Sequence, residues 1–548
     1  MLGGAELPAA GRRHFLFLFD FTFATTNEIA RSRDAAIRFV EGGMSPDDFA
    51  AVATVSAESG LALDLTFTPD RRQISAALKR VGLPTEIDRV RDPLAFAFSQ
   101  PGDPRVVVQE AYSSKTLAVD AQSTLKIMAA VGQRVADDYM LTRIVRHLSD
   151  MSGLARALDL VDGRKTVLYF SEGFDSRLIF GSVAHEKSPE QTAADNDAIL
   201  SGASWSIDFD RRYANTPMQK QLADTAELLR RSDCVVYPVD IAGLRTPSDG
   251  TIAPAERGED FLFTLAHATG GELIRNGNDI LAQIARVEEK TNLTYVLSYS
   301  SSANADGNYH PIRVRTRVKG ARVSARPGYF DRPSFRALTP LQRLMSAGNV
   351  IAHEKGAGDF PLEVLTFPLS SGRISQLPVV ISVPESALRG RDSAGHARLE
   401  LYAYAFDAAG QMVDYFAREA TVDGQRTSSE NLLFAGACHV VPGKYRVRVY
   451  VRNALDGRFG FAAAPVDVPE FGSVRLQALP PLFLRTGAAG SLHRDASSSA
   501  GDTDPFTIAG APFVPEPAPT LAPGSTPHVC LIVVAPGAEG TLPAFDVE

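Results

Sequence analysis

Several common classes are excluded by what this sequence has little of. Its three cysteines, Cys234, Cys438 and Cys530, stand far apart and form no C-x-x-C pair, so neither a disulfide framework nor a thiolate zinc site is expected. No apolar run approaches the roughly 20 residues of a membrane-spanning helix, and no transmembrane segment is expected. Basic residues are in deficit: 56 Lys and Arg against 64 Asp and Glu leave a formal charge of −8. Without a surplus of cations to neutralise phosphates, nucleic acid or an anionic membrane is disfavoured as the principal partner. Arg12-Arg13-His14 ahead of an apolar run has the look of a signal peptide, but Asp20 interrupts the run and no A-x-A-like cleavage site follows. No export signal is therefore read in the chain as given.

Enzyme motifs are lacking too. There is no G-x-S-x-G, no H-E-x-x-H and no P-loop; Gly443-Lys444 runs into Tyr445 within an apparent strand. His185-Glu186 and His353-Glu354 lack a second histidine at helical spacing and read as surface charge. Asp240, at the end of an apolar strand, reads as a loop cap, and Asp306-Gly307 reads as a turn. A non-enzymatic protein is the expectation.

What the sequence does have is concentrated at His14–Asp20, HFLFLFD. A continuous apolar run this short suits a strand buried on both faces of a parallel sheet. The carboxylate that closes it would stand at the strand's carboxyl end, where open α/β sheets place their ligand crevices. Thr22, Thr25 and Thr26 follow, offering hydroxyls beside it.

Taken in order, the chain alternates strand and helix. Ile29, Ala36, Ile37 and Val40 share a helical face ended by Gly42-Gly43, then Phe49–Ser56 and Leu61–Thr68 read as paired strands, the second antiparallel and near an edge. Thr68-Pro69 opens a helix over Ile74, Ala77, Leu78 and Val81. A long stripe runs from Leu141 through Ile144, Leu148, Met151 and Leu154 to Leu158; TVLYFS (166–171) is the next buried strand, delivering Glu172-Gly173. Strands at Cys234–Val239 and Thr294–Ser300, with helices between, complete a doubly wound, mainly parallel α/β sheet, with added strands at His310–Val318 and Ala321–Ala325. This domain is placed at 12–330, with irregular insertions at about 83–138 and 177–215.

The texture then changes. From about 340 to 470, short alternating segments such as Tyr445, Val447, Val449 and Val451 between Arg446, Arg448, Tyr450 and Arg452 predict an all-β sandwich with one face of that strand in water. Residues 471–548 are rich in Pro, Gly and Ser and read as a tail or partial β domain.

The segments VDGRKTVLYFSEGFDS (161–176), CVVYPVDIAGL (234–244), LAHATGGELIRNGNDILAQI (265–284) and YVLSYSSSANADGNYHPIRVRTRVKGARVSARPGY (295–329) resemble the von Willebrand factor type A domain, in particular the divergent bacterial branch called VWFA-related proteins. That resemblance implies a Rossmann-like fold and a metal-ion-dependent adhesion site. In that site D-x-S-x-S, a threonine from a second loop and an aspartate from a third hold Mg²⁺ or Ca²⁺, which takes a carboxylate from a protein partner. Carried over residue by residue, Asp20 is the first ligand and Thr22 replaces the first serine, while Ala24 removes the second. Thr142, at the head of the long helix, is the candidate threonine, and Glu172 stands for the aspartate. Thr25 or Thr26 could supply the missing hydroxyl. The expected metal set is thus Asp20, Thr22, Thr142 and Glu172, a degenerate site; the competing reading is that Asp20 and Thr22 merely cap the following helix.

The expected work is protein or surface adhesion through that crevice, with an extracytoplasmic bacterial location implied by the resemblance alone. The alternatives are a scaffold with a dead metal site whose sandwich makes the contacts, and a hydrolase with an unrecognised site.

Overall fold

The computed structural model describes residues 11–24, 26–82, 122–174, 176–181, 215–241, 258–275, 308–320, 327–330, 333–354, 358–371, 374–423, 431–471, 477–485 and 511–521, with shorter stretches and single positions up to 534. Two compact units emerge: residues 1–91 with 98–333, and residues 92–97 with 334–548.

In the first unit, five strands form one mixed sheet: β1 (His14–Asp20), β2 (Phe49–Ser56), β3 (Gly60–Thr68), β4 (Lys165–Ser171) and β5 (Cys234–Asp240), ordered β3-β2-β1-β4-β5. The β1–β2, β1–β4 and β4–β5 pairs are parallel, and the edge strand β3 pairs antiparallel with β2. Every residue of β1, β4 and β5 is buried, as strands flanked by helices on both faces must be.

The helices are α1 (Thr26–Gly42), α2 (Arg71–Arg80), α3 (Gln122–Leu158), the single turn α4 (Arg177–Phe180), α5 (Thr216–Arg231) and α6 (Gly258–Thr269). Asp70, rather than Thr68-Pro69, caps α2, accepting from the Arg72 and Gln73 amides. Long α3 begins at Gln122, well before the stripe that announced it. The rest of the stretch read as an insertion before it, most of 177–215, and nearly all of Thr294–Ser300 lie outside the described residues.

Strand alternation divides the core. Phe15, Phe17 and Phe19 of β1 and Leu168 and Phe170 of β4 point to one face, packing with Ile29, Ala36 and Val40 of α1 and with Ile74 and Leu78 of α2. Phe19 and Phe170 stack with centroids 4.7 Å apart. Asp20, Tyr169 and Ser171 therefore emerge on the other face, the one α3 covers. The added strands near the end of this unit are shorter than the sequence suggested: β6 (Tyr309–Pro311) pairs antiparallel with β7 (Gly328–Phe330), and residues 312–317 belong to no strand.

The second unit is a two-sheet β arrangement preceded by α7 (Pro340–His353), which opens on a Thr339–Gln342 capping box. One sheet contains β8 (Glu363–Thr366), β9 (Leu369–Ser371), β10 (Ile374–Val383) and β13 (Leu432–Val440). The other is ordered β12-β11-β14-β15, from β11 (His396–Asp407), β12 (Met412–Asp423), β14 (Gly443–Asn453) and β15 (Phe459–Val468). Leu377, Val379 and Ile381 of β10 meet Leu399, Leu401, Val447, Val449 and Val451 in one core.

The other face of β14 is wet only at its start, where Arg446 is exposed; beyond it the sequence pattern misleads. Tyr450 and Arg452 are buried. Arg452 pairs with Glu400 and donates to the Arg343 carbonyl, and Arg448 donates to the Ile351 and Ala352 carbonyls that end α7. Helix α7 thus packs over Tyr450 and Arg452, and Arg448 alone satisfies two of its last carbonyls.

The Pro-rich tail is built into this unit. Leu492–His493 pairs parallel with β13, and Leu482, Phe506, Phe513 and Val514 pack on Val380 and Leu433. Leu482→Ala is expected to lower the stability of the second unit by about 2–4 kcal/mol, as for other buried leucines. Urea unfolding checks this; a loosely attached tail would leave the midpoint unchanged.

Candidate functional site

Asp20 ends β1 directly beside the end of β4, where Phe19 lies opposite Phe170. Its side chain is fully buried. A carboxylate withdrawn from water is costly unless donors replace the lost hydration. Three do so here. The Thr22 amide donates to Oδ1 at 2.8 Å, and the hydroxyls of Tyr169 and Ser171 each donate to Oδ2 at 2.7 Å. The Gly173 amide in turn donates to Ser171 Oγ at 2.9 Å.

His147 of α3 completes the cluster. Its Nε2 lies 2.9 Å from the Tyr169 hydroxyl, its Nδ1 3.4 Å from Thr22 Oγ1 and 3.8 Å from Asp20 Oδ1. Tyr169 spends its single proton on Asp20, so it accepts from His147 Nε2–H; Nδ1 is then the acceptor for the Thr22 hydroxyl. This assignment gives every proton of the cluster one acceptor.

The cluster has a lid. Phe23 packs on His147 (centroids 5.5 Å apart) and on Phe174 (5.1 Å), and Phe174 packs on Phe261 of α6 (4.1 Å). Arg143, one turn before His147, donates to the Thr22 carbonyl and pairs with Glu58 at 3.2 Å, tying α3 to both neighbouring loops. The Glu58 carboxyl is held below its ordinary value, first by the Ser56 hydroxyl and then by Arg143 and Arg146. Gly173 adopts a left-handed φ of +69° and lies so close to Gly258 that neither has room for a Cβ.

Of the four residues expected to hold a metal, the structure brings two together. Asp20 and Thr22 share this cluster. Glu172 lies half-buried at the same end of the sheet, but it is not among the partners of Asp20. Thr142 is outside the cluster: it is exposed on α3 and donates to the Asp138 carbonyl of its own helix at 2.9 Å. The reason is the early start of α3 at Gln122, which makes position 142 helix interior instead of the helix's head. Thr25 lies outside the described residues, as does the Thr26 side chain.

These groups do not fit Mg²⁺ or Ca²⁺. Such ions want six or more oxygen ligands, whereas both Asp20 oxygens already accept protein donors, Thr22 Oγ1 faces a nitrogen and Ala24 offers no oxygen.

His147 and Tyr169 escape sequence reading because each sits inside an apolar pattern, His147 at the buried spacing of Ile144, Leu148 and Met151, Tyr169 within TVLYFS. The available signal was that very mismatch: a polar tip at a core position has to meet a partner. Ser, His and Asp are the residue types of a hydrolytic triad, but Ser171 donates to Asp20 instead of to His147, and all three are buried.

Tyr169→Phe would leave Asp20 Oδ2 with one donor and the His147 Nε2–H without an acceptor, at an expected cost of about 1–3 kcal/mol. Burial, and then the Asp20 charge, also push the Tyr169 phenol well above its ordinary value of 10.0. A raised folded value means this stabilisation is complete below the unfolded value and declines as pH climbs past it. Denaturant midpoints measured from neutral pH upward should therefore fall above about pH 10, and fall less in Tyr169→Phe.

No family model matches the sequence, and no curated protein does. Among solved structures, the chain is similar to an aerotolerance-related membrane protein from Bacteroides fragilis NCTC 9343 bearing multiple mutations to serines. The identity is 8% and the TM-score 0.25, over 51% of this chain and 98% of that one. It is also similar to a Bacteroides uniformis β-glucuronidase, at 18% identity and a TM-score of 0.16, over 20% of this chain and 13% of that one. A glycoside hydrolase family 2 β-glucuronidase matches at 9% identity and a TM-score of 0.16, over 20% and 11%. The chain thus spans little more than a tenth of the β-glucuronidases' length. Likenesses at these scores bear on neither activity nor partner.

Proposed function

We propose that this protein is a non-enzymatic interaction scaffold built on a type A-like α/β domain, with the adhesion crevice of that fold closed from within and independent of metal. The observation that carries this reading is the complete burial of Asp20, with both its oxygens accepting protein hydrogen bonds. A partner's carboxylate has no cation to bind there, and the Phe23 ring packs on His147, backed by Phe174. Contacts with partners then belong to surfaces away from the crevice. The absence of sequence motifs for catalysis and the buried, diverted Ser171 hydroxyl support a non-enzymatic role. An extracytoplasmic location is kept within this reading on the family resemblance alone.

Calorimetric titration of chelator-treated full-length protein with Mg²⁺, Ca²⁺ and Mn²⁺ is expected to give no saturable heat up to millimolar metal. Asp20→Ala should instead lower the stability of the first unit by about 2–4 kcal/mol, because four polar groups lose their common acceptor or its support. A saturable heat that disappears in Asp20→Ala would restore a metal-assisted crevice as the better reading.

A further inference from the structure

We infer that residues 312–320, with Val323, form an arm that docks on an anionic lipid surface. The arm leaves the β6–β7 ladder, whose base is fixed by His310 stacked on Tyr329 (4.9 Å), by Arg231 of α5 over Tyr309 (4.4 Å) and by one further bond, Ile312 N–H to the Pro327 carbonyl (2.7 Å). Beyond that bond the exposure pattern changes. Arg313, Arg315, Arg317 and Lys319 are all exposed, and none has a carboxylate partner among the described residues. Between them Ile312 and Val314 are half-buried, but Val318 is 69% exposed and Val323 45%. The sequence from Tyr309 to Pro327 contains no Asp or Glu.

Two features thus coincide: cations at every second position and branched apolar side chains left in water. A polyanion such as nucleic acid, or an acidic peptide, would satisfy the first and leave the second unexplained. A bilayer with anionic headgroups satisfies both, since phosphates meet the guanidinium groups while the valines enter the headgroup boundary, the long arginine stems reaching to the phosphate level. The chain's net negative charge does not forbid this. Charges farther than a Debye length, about 8 Å at physiological salt, are largely screened, so the arm is read by the surface through its own local charge.

The inference does not depend on the closed crevice, because the arm shares no residue with it. Full-length protein is sedimented with vesicles of phosphatidylcholine alone or with about one-third phosphatidylglycerol. Binding is expected only to the anionic vesicles and should weaken as salt rises. Each basic residue near such a surface contributes about fivefold, so Arg313→Glu/Arg315→Glu/Arg317→Glu should weaken binding by a hundredfold or more. Val318→Ser, at an exposed position that leaves folding intact, should weaken vesicle binding several-fold and leave any binding to a single-stranded oligonucleotide unchanged. Circular dichroism establishes that the variants are folded. No sedimentation with anionic vesicles, full binding by the folded triple variant, or vesicle binding indifferent to Val318→Ser would each overturn the proposal, the last in favour of a general polyanion contact.

Discussion

The first unit depends on one buried negative charge. β1 carries five consecutive large apolar residues into the centre of the sheet and ends on Asp20, which the neighbouring strands leave no route to water. Left alone, that carboxylate would cost several kcal/mol. Alternation solves the problem: because Phe19 and Phe170 face one layer, Ser171, Tyr169 and Asp20 share the other, and the donors arrive with the strands themselves. α3 then supplies His147 beneath its apolar stripe. The electrostatic demand of the site is met inside the fold.

A divalent cation and a shell of hydroxyls are two answers to the same demand, and their consequences differ. A cation leaves one coordination position for an outside ligand. Hydroxyls and an amide that donate inward leave none. The Phe23 ring on His147 and the ties from Arg143 to Thr22 and Glu58 fit a centre that stabilises the domain. A partially satisfied polar cluster would be worse than an apolar core; this one is complete, which is why it reads as architecture.

Much of this fold was legible because burial leaves a mark on sequence. HFLFLFD and TVLYFS gave adjacent, fully buried parallel strands, and the alternation of Val447, Val449 and Val451 located a sandwich strand. The reading faltered where pattern and environment separate. Thr142 was placed at the head of the long helix, but α3 starts at Gln122, and an apolar stripe does not mark how far a helix extends before it. Tyr450 and Arg452 looked solvated, since alternation reports which side of a strand a residue takes and not what α7 later lays across that side. Leu482, Phe506 and Phe513 were passed over because single apolar residues scattered among Pro and Gly have no period, though each contacts the same core. Asp20 was found for its position, whereas its partners His147 and Tyr169 were hidden by the apolar company they keep.

Departures from the usual placement of polar and apolar groups therefore fall into two kinds here. At Asp20, His147 and Tyr169, polar groups are inside, and each has found its complement within the chain; nothing external is required to account for them. At Arg313, Arg315, Arg317, Lys319 and Val318 the reverse holds: exposed cations with no carboxylate partner among the described residues stand beside an exposed apolar side chain, outside the described strands. A sequence that is locally consistent elsewhere breaks its own rules where strain or function intervenes. Since the first departure is compensated internally and the second is not compensated among the described residues, an external partner is better sought at the arm than in the crevice, although the crevice is the place to which the family resemblance pointed.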